Sequence, residues 1–153
     1  MIVADTKRRQ AVSTINAAAK ASEGIRQPLG GWIALFQSAL GLSSTQLAED
    51  VSVSRNSLHK SLENEKAGTI SLNQLSKIAD AMGGRVVYAI VPKQGDVEDI
   101  VMQQARKKAK RIIMRTRSHM ALEEQSEGLR TQDEMIEELA TQMARELKRG
   151  FWS

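Results

Sequence analysis

The segment Leu42-Ser43-Ser44-Thr45-Gln46-Leu47-Ala48-Glu49-Asp50-Val51-Ser52-Val53-Ser54-Arg55-Asn56-Ser57-Leu58 leaves the chain little conformational choice. Ser43 stands at a helix N-cap position with Gln46 three residues on, a capping box that satisfies two otherwise orphan backbone donors. Leu47, Ala48 and Val51 then share one apolar face. Ser52 and Val53 make a tight turn that tucks Val53 between two helices, and Ser54 restarts helix as the next N-cap. Leu58 and Leu62, four apart, point inward, which leaves Arg55, Asn56 and His59 on the outer, leading face of the second helix. Two short amphipathic helices with such a turn form a helix-turn-helix, whose second helix fits a DNA major groove.

The residue types on that outer face suit base recognition. Arg55 has the planar fork that matches guanine O6 and N7, Asn56 pairs bidentately with adenine N6 and N7, and His59 lies one turn further on, within reach of another base or a phosphate. Ser43, Ser44, Ser57, Lys60, Lys66 and Thr69 are candidates for phosphate contacts, which orient a protein on the duplex without specifying sequence. The competing reading is a helix-turn-helix used only for protein contacts.

Charge is distributed unevenly. Residues 31–92 carry five basic and five acidic groups, whereas residues 93–122 carry eight and three, and residues 123–153 four and eight. Phosphate neutralisation supplies much of the affinity for DNA, so a neutral helix-turn-helix needs help from flanking basic groups or from a second copy. The run Arg106, Lys107, Lys108, Lys110, Arg111, Arg115 and Arg117 has two readings: a helix face that is solvated or paired with Glu134, Glu137, Glu138 and Glu146, or a clamp on the DNA backbone. Lys7-Arg8-Arg9 reads either as a basic arm or as an inert charged terminus.

The chain has 153 residues, 41% of them hydrophobic, which favours one modest core with appendages. Four segments emerge: an N-terminal helix or arm over 1–26, the helix-turn-helix domain over 31–84, a strand over 85–92 and a C-terminal helical extension over 96–153. Val12, Ile15, Ala18 and Ala19 give a helix over 6–22 a narrow apolar stripe, with no packing partner identifiable from spacing. After a Gly- and Pro-containing connector over 24–31, Trp32, Ile33, Leu35, Phe36, Ala39 and Leu40 predict a buried helix. Ser71 and Gln74 form a capping box ahead of Leu72, Leu75, Ile78, Ala79 and Met82, and Gly83-Gly84 ends that helix.

Val86, Val87, Tyr88, Ala89, Ile90 and Val91, between the glycine pair and Pro92, predict the chain's single short β-strand. Its backbone groups need partners, and pairing with the same strand of a second subunit in a homodimer is the economical solution; a short extended segment packed on the helices is the alternative. From Asp96 a long helix carries Val97, Val101, Ala105, Ala109, Ile112, Thr116 and Met120 along one stripe. A looser stretch around 126–130 precedes a last helix, opened by a Thr131–Glu134 capping box and bearing Met135, Ile136, Leu139, Ala140, Met143 and Leu147. That last face reads either as a partner-binding or dimer-extending surface or as one that folds back onto the helix of 97–120.

The fold class expected is therefore mainly α. Residues 31–92 resemble the XRE type of helix-turn-helix, the phage-repressor-like bundle, through Gly41-Leu42-Ser43, Leu47-Ala48, Val53-Ser54, Leu58 and Leu75-Ile78-Ala79. Ser44 stands where many relatives of that wider fold have glutamine. A narrower resemblance runs over residues 27–153: Gly31-Trp32-Ile33, Ala67-Gly68-Thr69-Ile70, Val87-Tyr88-Ala89-Ile90-Val91-Pro92, His119-Met120-Ala121-Leu122-Glu123 and the Trp152 tail are similar to the mobile mystery protein A family. That resemblance implies an antitoxin-like regulator, paired with a neighbouring protein that carries a Fic (filamentation-induced-by-cAMP) domain.

The resemblance thus implies a sequence-specific repressor of antitoxin type that acts on a double-stranded operator and autoregulates an operon with a Fic-domain toxin. The alternative is a protein-binding antitoxin that neutralises its partner through the C-terminal helices. Fic enzymes are often restrained by a helix with Ser or Thr, three residues, Glu, then Gly or Asn. Glu63-Asn64, Glu127-Gly128 and Glu23-Gly24 have His59, Glu123 and Ala19 at the Ser/Thr position, so the motif is absent and neutralisation would use another surface.

Other chemistry is poorly served. No cysteine is present and two isolated histidines do not make a zinc site of usual ligand count, so no metal or other cofactor is expected. No Gly-rich phosphate loop or Ser/His/acid set stands at recognisable spacing, and in Glu123-Glu124 and Glu137-Glu138 adjacent side chains on a helix diverge, so an enzyme is not expected. His119 reads as structural or as a partner contact. No signal-peptide core and no membrane span stand out, which leads to the expectation of a soluble, cytoplasmic protein that does not engage membranes.

Overall fold

The computed structural model describes residues 2–120 and 131–153, which form seven helices: α1 (Ile2–Ala21), α2 (Trp32–Leu40), α3 (Ser44–Val51), α4 (Arg55–Ala67), α5 (Leu72–Ala81), α6 (Val97–Met120) and α7 (Gln132–Glu146). The protein is mainly helical, as its periodicities predict. Packing divides the chain into two units, residues 22–89 and residues 1–21 with 90–153. The stretch read as loose around 126–130, and Ala121, Leu122 and Glu123 of the resemblance, lie outside the described residues.

In the 22–89 unit, Ile33, Leu47, Ala48, Leu58, Ile78 and Met82 form the core, and Leu42, Val51, Val53, Leu62, Ile70 and Leu75 pack around it. Most helix ends of this unit are fixed locally, the start of α2 being the exception. Ser43, Ser54 and Ser71 accept from the backbone N–H of Gln46, Ser57 and Gln74, at 3.1, 3.0 and 3.1 Å. Gln46 turns its amide onto Asp50 one turn further on, at 2.9 Å, because that nearby carboxylate competes for it. Gly41 and Gly68 close α2 and α4 in the left-handed region, where a side chain would be strained.

Helix α2 departs from the sequence expectation. Only Ile33 is buried, while Trp32, Leu35, Phe36 and Leu40 are between 40 and 52% exposed, because α3, α4 and α5 cover one side of a helix that is apolar on both. The expected strand is a second departure. Val86, Val87, Tyr88, Ala89, Ile90 and Val91 form neither helix nor strand, because a ladder needs a second extended segment and the described residues contain none.

In the other unit the face of α7 folds back onto α6. Ala105, Ala109 and Ala140 are fully buried with Phe151, and these small side chains let the two helices approach closely. Ile136, Leu139, Met143 and Leu147 pack around them, and the complete capping box of Thr131 and Glu134 starts α7 as expected. Helix α1 has α6 as its partner: Asn16 accepts from the N–H of Val97 at 3.0 Å and donates to Glu98 at 2.9 Å. Lys7, Arg8 and Arg9 lie within α1, where Arg8 and Arg9 pair with Asp5.

Glu65 is the buried charged residue of the described chain. Its carboxylate reaches from α4 to the start of α2, accepting from Trp32 N–H at 2.6 Å and from Ile33 N–H at 3.2 and 3.4 Å. Glu65→Ala should therefore destabilise the protein by about 2–3 kcal/mol, the scale of buried hydrogen bonds to a charged acceptor. Glu63→Ala, at an exposed position two residues earlier, should stay within roughly 0.5 kcal/mol of the parent. Urea unfolding followed by circular dichroism reads both, and equal midpoints for the two variants would refute the assignment.

Candidate nucleic-acid interface

The turn between α3 and α4 sets the geometry of the site. Ser52 adopts φ 60° and ends α3, its N–H donating to Glu49 O at 2.9 Å, while Val53 N–H returns to Ala48 O at 2.9 Å. Val53 is half-buried against the core, and Ser54 starts α4 at once. With Leu58 buried and Leu62 half-buried, the helical repeat carries Arg55, Asn56 and His59 to the solvent side, where all three are exposed.

Ser44, Arg55, Asn56 and His59 converge. They line, with Leu58 and Leu62, one open groove of about 380 Å³ between the start of α3 and the first turns of α4. Leu58 and Leu62 form its floor, so the polar groups stand on a rigid base. Ser44 Oγ accepts from Gln37 Nε2 at 3.0 Å, which holds that hydroxyl in place and leaves its proton available to an outside acceptor. The Ser43 and Ser57 hydroxyl oxygens have internal partners as well: Ser43 Oγ accepts from Gln46 N–H and caps α3, and Ser57 Oγ accepts from the Ser54 hydroxyl at 3.1 Å. Lys60 is exposed on α4 beside this face.

Lys66 and Thr69 stand apart from the groove. They lie at the far end of α4, roughly 16 Å along the helix from Arg55 at the standard rise. Thr69 Oγ1 donates to Asn64 O at 3.3 Å, and Lys66 Nζ is paired with Glu63 at 2.8 Å. The Lys66 ammonium, through its hydrogen bond first and its charge second, holds the Glu63 carboxyl below the usual carboxylate range, with His59 adding a smaller pull in the same direction. Glu63 is thus an ionised acid on the same outer face as Asn56 and His59, spaced seven and four residues from them. The sequence reading passed it over, although that spacing was available.

A second lining belongs to the same unit. Trp32, Phe36, Leu75, Met82, Val86 and Val87 border an apolar hollow of about 340 Å³. It adjoins the uncovered side of α2; Val87 on its border and Tyr88 are more than 70% exposed, as is Ile90 of the other unit. Compared with family models, with curated proteins and with solved structures, the chain matches none.

Proposed function

We propose that the protein is a sequence-specific DNA-binding transcriptional repressor of antitoxin type, with α3 and α4 as a helix-turn-helix of the XRE kind. The observation that carries this reading is the convergence of Arg55, Asn56, His59 and Ser44 on one exposed groove at the head of α4. These are the side chains that read guanine and adenine edges and anchor phosphate, and they project from an element narrow enough for the major groove. Its resemblance to mobile mystery protein A makes an operon shared with a Fic-domain toxin the proposed setting. Repression of that operon is the favoured route of control, because α7 already spends its apolar face on α6.

A homodimer is part of the proposal. One helix-turn-helix in a segment of balanced charge binds weakly, and two on a two-fold operator combine their contacts. The 86–91 segment and the bare side of α2 supply both elements such a joint requires, unpaired strand-forming backbone and exposed apolar side chains.

Three outcomes are expected. Footprinting on the DNA upstream of the gene should find a protected two-fold site, to which Arg55→Ala and Asn56→Ala each bind more weakly by roughly 1–3 kcal/mol with melting unchanged. Equal binding by parent and variants would remove these residues from base readout. Glu63→Gln should bind more tightly, because it deletes an acid from the outer face of α4 and frees Lys66; its log affinity should fall with log salt more steeply by about 0.9 for the released cation. An unchanged slope would place Lys66 away from phosphate. Sedimentation at micromolar concentration should give a dimer, and Val87→Pro, which removes a ladder donor, should give a monomer. A Val87→Pro dimer would move the joint elsewhere.

A further inference from the structure

Helix α6 carries cations that pair with no acid among the described residues. Lys107, Lys110, Arg111 and Arg115, with Met114 and Ser118, line one shallow depression on the outer side of the helix. Their spacings of three and four residues put them on a single face, and all four are exposed. None of the four takes part in an ion pair among the described residues. Four acids of α7 are engaged elsewhere: Glu137 with Arg106 at 2.6 Å, Glu134 with the start of α7, Glu146 with Lys148 at 2.7 Å, and Glu138 in a contact of its own. The other basic residues of this helix have partners too, Lys108 on Gly150 O and Arg117 on Gln132.

We propose that this face of α6 is a second DNA contact, which grips the phosphate backbone of a duplex without reading its sequence; the proposal rests on the DNA-binding reading above. Lys107 and Arg111, and Arg111 and Arg115, are like charges at i,i+4, an arrangement that disfavours the helix unless an outside anion offsets it. Lys107 and Arg115 are separated by about 12 Å along the axis, a length over which duplex DNA presents roughly seven phosphate charges. A membrane surface is the poorer occupant. An interfacial helix must bury an apolar face in lipid, and on α6 the side bearing Ala105 and Ala109 is already covered by α7 and Phe151. No helix among the described residues is long and apolar enough to cross a bilayer.

The test uses the full-length protein, a mixed-sequence 30-base-pair duplex labelled for fluorescence anisotropy, and a salt series. A variant with Lys107→Gln, Lys110→Gln, Arg111→Gln and Arg115→Gln should bind at least tenfold more weakly at the lowest salt. Its slope of log affinity against log salt should be shallower by up to about 3.6, which corresponds to four lost phosphate contacts. Should the fourfold variant lose helicity, Lys110→Gln and Arg111→Gln made singly should each reduce the slope by about 0.9. A parent slope retained in folded variants overturns the α6 contact and leaves the α4 reading standing. A parent protein that binds neither this duplex nor its own upstream DNA overturns both. Binding to phosphatidylserine vesicles that the substitutions abolish, with duplex binding unaffected, overturns the proposal in favour of a membrane surface.

Discussion

Helix α2 has Gly31 at its N-cap, which has no side chain to offer the first amides, and a carboxylate 34 positions along the chain does that work. Glu65 accepts from the first two N–H groups of α2, so the positive end of the helix faces a full negative charge in the protein interior. The arrangement explains how a carboxylate can be buried here without a cation beside it. It also explains Gly31: at φ +86° a Cβ would stand 2.7 Å from Glu65 Oε2, so neither the backbone nor the space admits another residue. The bond ties α4 to α2, and α2 contributes Ile33 to the core on which Leu58 rests. The direction in which α4 presents Arg55 and Asn56 therefore depends on a contact at its opposite end, where Gly68 and Thr69 close the helix onto Glu65 O and Asn64 O.

What could be read from the sequence was what is local. Ser43, Ser54, Ser71 and Thr131 cap the helices they were expected to cap, because a cap needs only its own next three residues. Leu47, Leu58 and Ile78 are buried for a similar reason, since helical spacing alone puts them on inner faces. Glu65 was invisible to that kind of reasoning. In the sequence it is one more acid in Glu63-Asn64-Glu65-Lys66, and only the approach of α2 distinguishes it from Glu63 two residues away. The pairing of α1 with α6 escaped notice likewise, because Asn16 and Val97 meet across most of the chain.

The two departures have a common origin. An apolar residue in a sequence states that it disfavours water, not what will cover it, and α2 and the 86–91 segment were both assigned burial or pairing on that basis. Among the described residues neither requirement is met: four large side chains of α2 and three of 86–91 are exposed. On the proposed reading both are met at once by a second copy, because a two-fold joint brings each exposed surface against its own equivalent and needs no further partner.

Charge follows a related logic. A base-reading helix gains from carrying few cations of its own, since strong non-specific attraction holds a protein equally well on every sequence and leaves discrimination to the base contacts alone. In residues 31–92 the charges balance, and on the outer face of α4 Glu63 offsets Lys66. The surplus sits on α6, in another unit of the same chain. Because the two are covalently linked, an α6 bound to backbone, as proposed, would hold α4 at a high effective concentration over the neighbouring bases. On the proposed reading affinity and specificity are set by different helices, so substitutions on α6 should scale binding to all sequences alike, whereas those at Arg55 and Asn56 should alter which sequence is preferred.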